Sequence, residues 1–256
     1  MAGAKYADLM PRVVVGVLLI TLALVANWRG GWLFDALVTL AALLMLTEWY
    51  QMHRLDRLAR FFAMFAIAGA CALAGLDDHW PALALLVAAA ALAGIVRGGV
   101  AGAGILYAGL PGLALIFLRH QPAGAVLVIW TLAIVWATDI AAYFAGRTFG
   151  GAKIAPAISP SKTWAGLLGG MTAAAAAGGL LAAEFDLGFA PSLGAALGAG
   201  LAVAAQAGDF FESSLKRRAG VKDSGTLLPG HGGVMDRLDG LVPVSVLVAL
   251  AIWGMA

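Results

Sequence analysis

Five basic side chains, three carboxylates and a histidine share the segment from Ser213 to Asp239, SSLKRRAGVKDSGTLLPGHGGVMDRLD, in a chain that is otherwise mostly apolar. The basic residues are Lys216, Arg217, Arg218, Lys222 and Arg237, and the carboxylates are Asp223, Asp236 and Asp239. Carboxylate oxygens are hard ligands suited to magnesium, which takes one or two of them and completes its shell with water and phosphate oxygens. Lysine and arginine neutralise phosphate groups through charge-assisted hydrogen bonds. The glycines of LPGHGG leave the backbone free to bend between the charged groups. This mixture suits a metal-bound polyphosphate at a membrane surface.

If a helix starts near Val234, Asp236 and Asp239 lie three residues apart on one face of its first turn, and two oxygens could meet one ion. His231, beside Gly232 and Gly233, is read as a phosphate contact or a structural hydrogen bond ahead of a metal ligand, because one histidine among carboxylates is weak evidence for zinc. Upstream, Asp209, Glu212 and Lys216 share one helix face, with Glu212 and Lys216 at i, i+4. A solvated helix end explains that face equally well.

Two further constellations precede this block. In ATDIAAYFAGRTFG, Asp139 sits near the end of an apolar span with Tyr143 four residues on and Arg147 two turns on. A carboxylate there needs a cation, a metal or a buried donor, and it is assigned to a polar cavity holding a metal–nucleotide complex, the other reading being a partner for a basic side chain of another helix. In KIAPAISPSKTWAG, Ser159, Ser161, Lys162 and Thr163 gather before the next span. Hydroxyls, a lysine and free N–H groups at a helix start favour an anion, while a helix cap by Ser161 or Thr163 accounts for the segment equally well.

The elements that must position these groups are membrane helices. The chain has 256 residues, 62% hydrophobic and 12% charged, with a mean hydropathy of +0.93, beyond the range of ordinary soluble domains. About nine apolar runs are each able to cross a hydrocarbon core of about 30 Å. They run from Pro11 to Trp28, Trp32 to Met52, Leu58 to Leu76, Pro81 to Val96, Ile105 to Leu118, Ala123 to Ala145, Trp164 to Ala183, Leu187 to Phe211 and Leu241 to Met255. Gly98 to Gly104 and Pro111 are expected to interrupt the fourth and fifth. The fold class is therefore all-α and polytopic.

Basic residues collect in cytoplasmic loops. With nine spans and a cytoplasmic N-terminus, only Arg29 and Arg119 of the 16 basic residues fall outside. The functional segment then faces the cytoplasm, and the positive inner face attracts anionic headgroups or a nucleotide. The net charge of +2 hides this segregation. The lone Cys71 rules out an intramolecular disulfide and is read as packing. The first apolar segment is read as a retained anchor rather than a cleaved signal peptide.

Residues 1–120 are poor in distinctive polar groups and are read as a scaffold with dimer contacts; residues 121–256 are read as the catalytic part. Gly194 and Gly198 form a small-xxx-small pair for close helix packing. Trp28, Trp32, Trp49, Trp80 and Trp164 sit at span ends, as interfacial anchors do. Glu48 and Asp35 are ionisable groups in or near the second span and should face protein or water.

The run SxLKRxxxxKDxGxxLPGHGGxxDRxD, with the upstream GDxxES, DxxAYFxGRxFG and SPxKTW elements, resembles the phosphatidate cytidylyltransferases, or CDP-diacylglycerol synthases. So many fixed positions are far more specific than a lone glycine motif. The resemblance covers roughly Thr138 to Gly240; the earlier spans agree only in topology. It implies transfer of the cytidylyl group of CTP to phosphatidate at a polar cavity open to the cytoplasm, a multi-pass protein of the cell inner (plasma) membrane, a homodimer, magnesium, and potassium as a second ion.

On that basis Asp223, Asp236, Asp239, Lys222 and Arg237 are expected to be catalytic, with the three aspartates holding the metal. Ser159, Lys162, Thr163, Lys216, Arg217, His231, Gly232, Gly233 and Asp139 are expected to bind substrate. CTP, phosphatidate and membrane lipids are the expected partners, with no nucleic acid. One position departs from the family pattern: Ala165 stands where SPxKTWEG has glutamate. Rival readings are another CTP-dependent membrane lipid enzyme, such as a polyprenol kinase or an ether-lipid CDP synthase, and, from a different class, a transporter.

Overall fold

The structure is a computed structural model that describes residues 9–227 and 232–255, with side chains from residue 13 onward, so His231 lies outside the described residues. In chain order the elements are α1 (Leu9–Arg29), α2 (Gly31–Met52), α3 (Arg57–Gly75), α4 (His79–Arg97), α5 (Gly99–His120), α6 (Gly124–Phe149), β1 (Lys153–Ala155), β2 (Ser159–Thr163), α7 (Trp164–Glu184), α8 (Pro191–Ala219), α9 (Met235–Leu238) and α10 (Leu241–Met255). The seven helices α2 to α8 are long and apolar enough to cross a membrane, and the apolar stretches Val13–Arg29 and Leu241–Met255 are shorter. A helix satisfies its own backbone without water, which is why apolar runs of this length fold so in lipid. The protein is an all-α polytopic membrane protein.

The chain divides into two compact units, the residues to His120 with Ala219–Leu238, and Gln121–Arg218 with Asp239–Ala256. Most of the charged segment read as part of the C-terminal half thus packs with the N-terminal helices.

In the first unit, α5 packs against α4, α2 and α3, and α3 against α2 and α4. Small residues on α5 make this possible. A Cβ at Gly104 would strike the Trp49 ring, and one at Gly109 would strike the Leu86 side chain. Trp49 is therefore a buried packing residue, its Nε1–H donating to the Val100 carbonyl at 2.9 Å. Trp28, Trp32, Trp80 and Trp164 are exposed, as anchors at an interface would be. The interruption expected over Gly98 to Gly104 shrinks to Gly98, whose φ of 94° suits only glycine. Helix α5 then runs unbroken, with Pro111 buried inside it; membrane helices tolerate proline where neighbours make good the lost bond. Asp35 faces protein: its Oδ2 lies 3.3 Å from His120 Nε2, and His120 Nδ1 is 2.8 Å from Asp77 Oδ1.

In the second unit, α7 packs along α6, and α10 also packs on α6. A Cβ at Gly178 or Gly198 would strike the backbone of the facing helix, so α7 and α8 approach through glycine and alanine. Trp130 donates from Nε1 to the Gly178 carbonyl at 3.0 Å. Between α6 and α7 the chain forms an antiparallel hairpin, β1 with β2, pairing Lys153 with Thr163. Helix α8 has 29 residues, about 43 Å at ~1.5 Å per residue. It outlasts a hydrocarbon core, and its last turn carries Lys216, Arg217 and Arg218, where the helix dipole favours cations.

Candidate active site

Charged groups converge at two places, one in each unit. In the first, the segment after α8 folds around two carboxylates. Glu48, one turn before the end of α2, is only 4% exposed. Its Oε1 accepts from the Val234 N–H at 2.8 Å. Its Oε2 accepts from the Met235 N–H at 2.8 Å and lies 2.9 Å from the Ser224 hydroxyl. Asp236 Oδ2 accepts from the N–H groups of Ser224 at 2.9 Å and Gly233 at 2.8 Å, and lies 3.0 Å from the same hydroxyl. That hydroxyl has one proton and can serve one carboxylate at a time.

The glycines of this segment give the backbone room for these contacts. A Cβ at Gly233 would strike Ser224 Oγ and Glu48 Oε2, and one at Gly225 would come within 2.9 Å of Glu48 Oε1. Gly232 has a φ of 83°, and a Cβ there would come within 2.7 Å of Asp236 Oδ2. Around this folded core Lys222, Asp223 and Arg237 are exposed. Asp223 has no hydrogen-bond or ion-pair partner among the described residues.

In the second unit, Asp139 on α6, Asp209 on α8, Asp239 after α9 and Lys162 on β2 form an electrostatic cluster. Lys162 Nζ lies 2.5 Å from Asp209 Oδ2, with the two side chains 23% and 27% exposed. Ser213 Oγ donates to Asp209 Oδ1 at 3.3 Å. Asp239 Oδ1 accepts from its neighbour Gly240 N–H at 2.7 Å. Burial, and then the charges of Asp209 and Asp139, push the Asp239 carboxyl up to about 7, against the opposing Gly240 hydrogen bond and Lys162. Three carboxylates held near one lysine leave negative charge that a cation would relieve.

This donor set fits magnesium. Among the described residues no three histidine, cysteine, aspartate or glutamate side chains converge to hold an ion unaided, but magnesium needs only one or two carboxylates when phosphate oxygens complete its shell.

The remaining expected residues fall as follows. Thr163 is buried and caps α7, its Oγ accepting from Gly166 N–H at 3.1 Å, so the capping role is realised and its hydroxyl proton is the part left for a ligand. Ser159 is half-buried on β2. Lys216 pairs with the buried Glu212 at 2.9 Å, and Arg217 is exposed. The helix expected to start near Val234 is instead the four-residue α9, which stops at Leu238 before α10 opens at Leu241. Asp236 therefore lies within α9 and Asp239 just past its end, each among different neighbours. The sequence sets Asp209 on one helix face with Glu212 and Lys216, a face that a solvated helix end explains equally well, and assigns neither Asp209 nor Glu48 to the site. The signal for Glu48 was present in the cost of a carboxylate within an apolar span.

The sequence matches the model of the cytidylyltransferase family over residues 10–254. The chain belongs to that family. A phosphatidate cytidylyltransferase of Brucella suis biovar 1 (strain 1330) is 40% identical over 95% of this chain and 93% of its own length. One from Rickettsia bellii (strain RML369-C) is 32% identical over 92% of this chain and 87% of its own. The phosphatidate cytidylyltransferase of Pseudomonas aeruginosa strain PAO1 is 40% identical over 54% of this chain and 52% of its own. The similarity to the first two takes in the N-terminal helices as well, beyond the stretch that the motifs alone cover. Within the family, Ala165 is half-buried in the first turn of α7, two residues after the capping Thr163.

Proposed function

We propose that this chain transfers the cytidylyl group of CTP to phosphatidate, giving CDP-diacylglycerol and pyrophosphate. The observation that carries this reading is similarity along nearly the whole chain to proteins named for that reaction. The lipid phosphate attacks the α-phosphorus of CTP in line; a new P–O bond forms as the bond to the β-phosphate oxygen breaks. The nucleophile is already anionic near neutral pH, so no strong base is needed. The work lies in holding two repelling anions together and offsetting charge on the leaving pyrophosphate.

The chain's own residues divide that work. Lys222, Arg237, Lys216 and Arg217 neutralise phosphates of CTP or lipid. Lys162, held by Asp209, presents a charge beside the hairpin, with Ser159 and Thr163 as hydroxyl donors. Magnesium would be held by Asp239 with Asp139 and Asp209 beside it; Asp223, which is exposed, is a candidate ligand from the family resemblance alone; Asp236 shapes its segment through Oδ2. When bound, the ion acts as a Lewis acid on phosphate oxygens. Gly232 and His231 remain assigned to phosphate contact, whereas the buried Gly233 already gives its N–H to Asp236, and potassium remains assigned to a second ion.

The same reading places the protein in the cell inner membrane as nine spans, with a cytoplasmic N-terminus, a polar cavity open to the cytoplasm and a homodimeric assembly. The segregation of basic residues supports the orientation, and the family resemblance supports the dimer.

The test is incubation of purified protein with labelled CTP, phosphatidate and magnesium, following liponucleotide and pyrophosphate together. Equal appearance of both, lost on chelation, is the expected result. CDP without liponucleotide would instead assign a kinase, and absence of turnover would overturn the reading.

A further inference from the structure

We propose that Glu48 is a positioning residue for catalysis: from α2 it clamps the segment that carries the KD and DR pairs. The proposal rests on the cytidylyltransferase reading for what the segment does, and on geometry for the clamp.

A buried carboxylate costs free energy unless its lone pairs are met. Among the described residues Glu48 has no basic partner; what meets it is the Val234 N–H, the Met235 N–H and the Ser224 hydroxyl, all from one segment. Ser224 directly follows Lys222 and Asp223, and Met235 directly precedes Asp236 and Arg237. Both charged pairs are thus tethered at the point where the backbone is held.

Two glycines of the motif acquire a reason from the same contact. Side chains at Gly225 or Gly233 would displace the Glu48 carboxylate. Ser224 Oγ also lies 3.0 Å from Asp236 Oδ2, so the clamp and the internal fold of the segment meet at one hydroxyl. Groups held on a helix within a fraction of an ångström of productive geometry are worth far more to a transition state than mobile ones.

Glu48→Gln keeps the shape but sets an NH2 group against a backbone donor: Val234 N–H if it replaces Oε1, or Met235 N–H if it replaces Oε2. In the purified full-length chain, amide exchange of the peptide spanning residues 232–238 should speed up about tenfold or more. Turnover per folded molecule should fall about tenfold or more in kcat, with KM for CTP changed less than about threefold. A defect confined to folding would lower the yield and leave kcat per folded molecule unchanged.

Ser224→Ala removes a single hydrogen bond, and should move both readings the same way by about threefold; it decides the matter if Glu48→Gln does not fold. Exchange at the wild-type rate, or wild-type kcat despite faster exchange, overturns the proposal. If the wild-type chain itself makes no liponucleotide, the cytidylyltransferase reading fails, and the exchange measurement alone then decides whether Glu48 holds the segment.

Discussion

Lys162 Nζ and Asp209 Oδ2 stand 2.5 Å apart, joining the strand before α7 to the C-terminal half of α8 through two partly exposed side chains. The contact sets the lysine beside Asp139 and Asp239 and keeps it from swinging into bulk water. Exposed pairs of this kind contribute about 0–1 kcal/mol to stability. The value of this one lies in where it leaves the positive charge.

Lys162→Ala should therefore change the thermal midpoint little, consistent with about 1 kcal/mol or less, and lower kcat/KM for CTP about tenfold or more. Steady-state kinetics beside a melting curve in the same detergent check both halves. Kinetics equal to wild type would return the lysine to a role in topology alone.

Asp223 is exposed and without a partner among the described residues, so Asp223→Asn should cost about 0.5 kcal/mol of stability or less. Cytidylyl transfer should fall about a hundredfold or more if the carboxylate serves a cation. Raising magnesium should recover little of the loss, and a titration of rate against magnesium is the measurement. Turnover near wild type would remove Asp223 from that role.

Gly233→Ala sets a methyl group against Ser224 Oγ and Glu48 Oε2. Overpacking of this kind costs about 1–3 kcal/mol. Gly94→Ala, where nothing lies within 4 Å of the new methyl group, should be neutral or stabilising by up to about 1 kcal/mol in a helix. Paired melting curves of the two variants give the contrast, and equal midpoints would contradict the packing described around Glu48.

Ala165→Glu restores the carboxylate of the family pattern in the first turn of α7. An acid there interacts favourably with the helix dipole by about 0.3–1 kcal/mol. Turnover should be equal or higher, with an unchanged or raised thermal midpoint. A sharp loss of turnover would show that this site has been rebuilt around alanine.

Hydropathy alone located the helices. The nine apolar runs coincide with the helices α1 to α8 and α10 to within a few residues at most ends, and seven of these, α2 to α8, are long and apolar enough to cross a membrane, where the backbone has no alternative to the helix. Composition could not place the break between the fourth and fifth runs, since glycine-rich sequence is compatible with a helix, and only the positive φ of Gly98 marks the turn. Nor could it separate Trp49, buried by the packing of α5, from the tryptophans that remain exposed.

The motif residues were legible for a similar reason. Phosphate and magnesium chemistry needs carboxylates, cations and flexible glycines close together, and in so apolar a chain such a cluster stands out. Which carboxylate does what is not written there. Sequence spacing put Asp236 and Asp239 on one helix face, but α9 ends at Leu238; Asp236 turns to Ser224 and Gly233, and Asp239 to the neighbourhood of Asp209 and Asp139. Glu48 meets Val234 and Met235 across more than 180 residues of chain. Local pattern cannot carry such a contact, because hydrogen bonds between distant segments are chosen by the packing of helices and not by the residues that neighbour them in sequence.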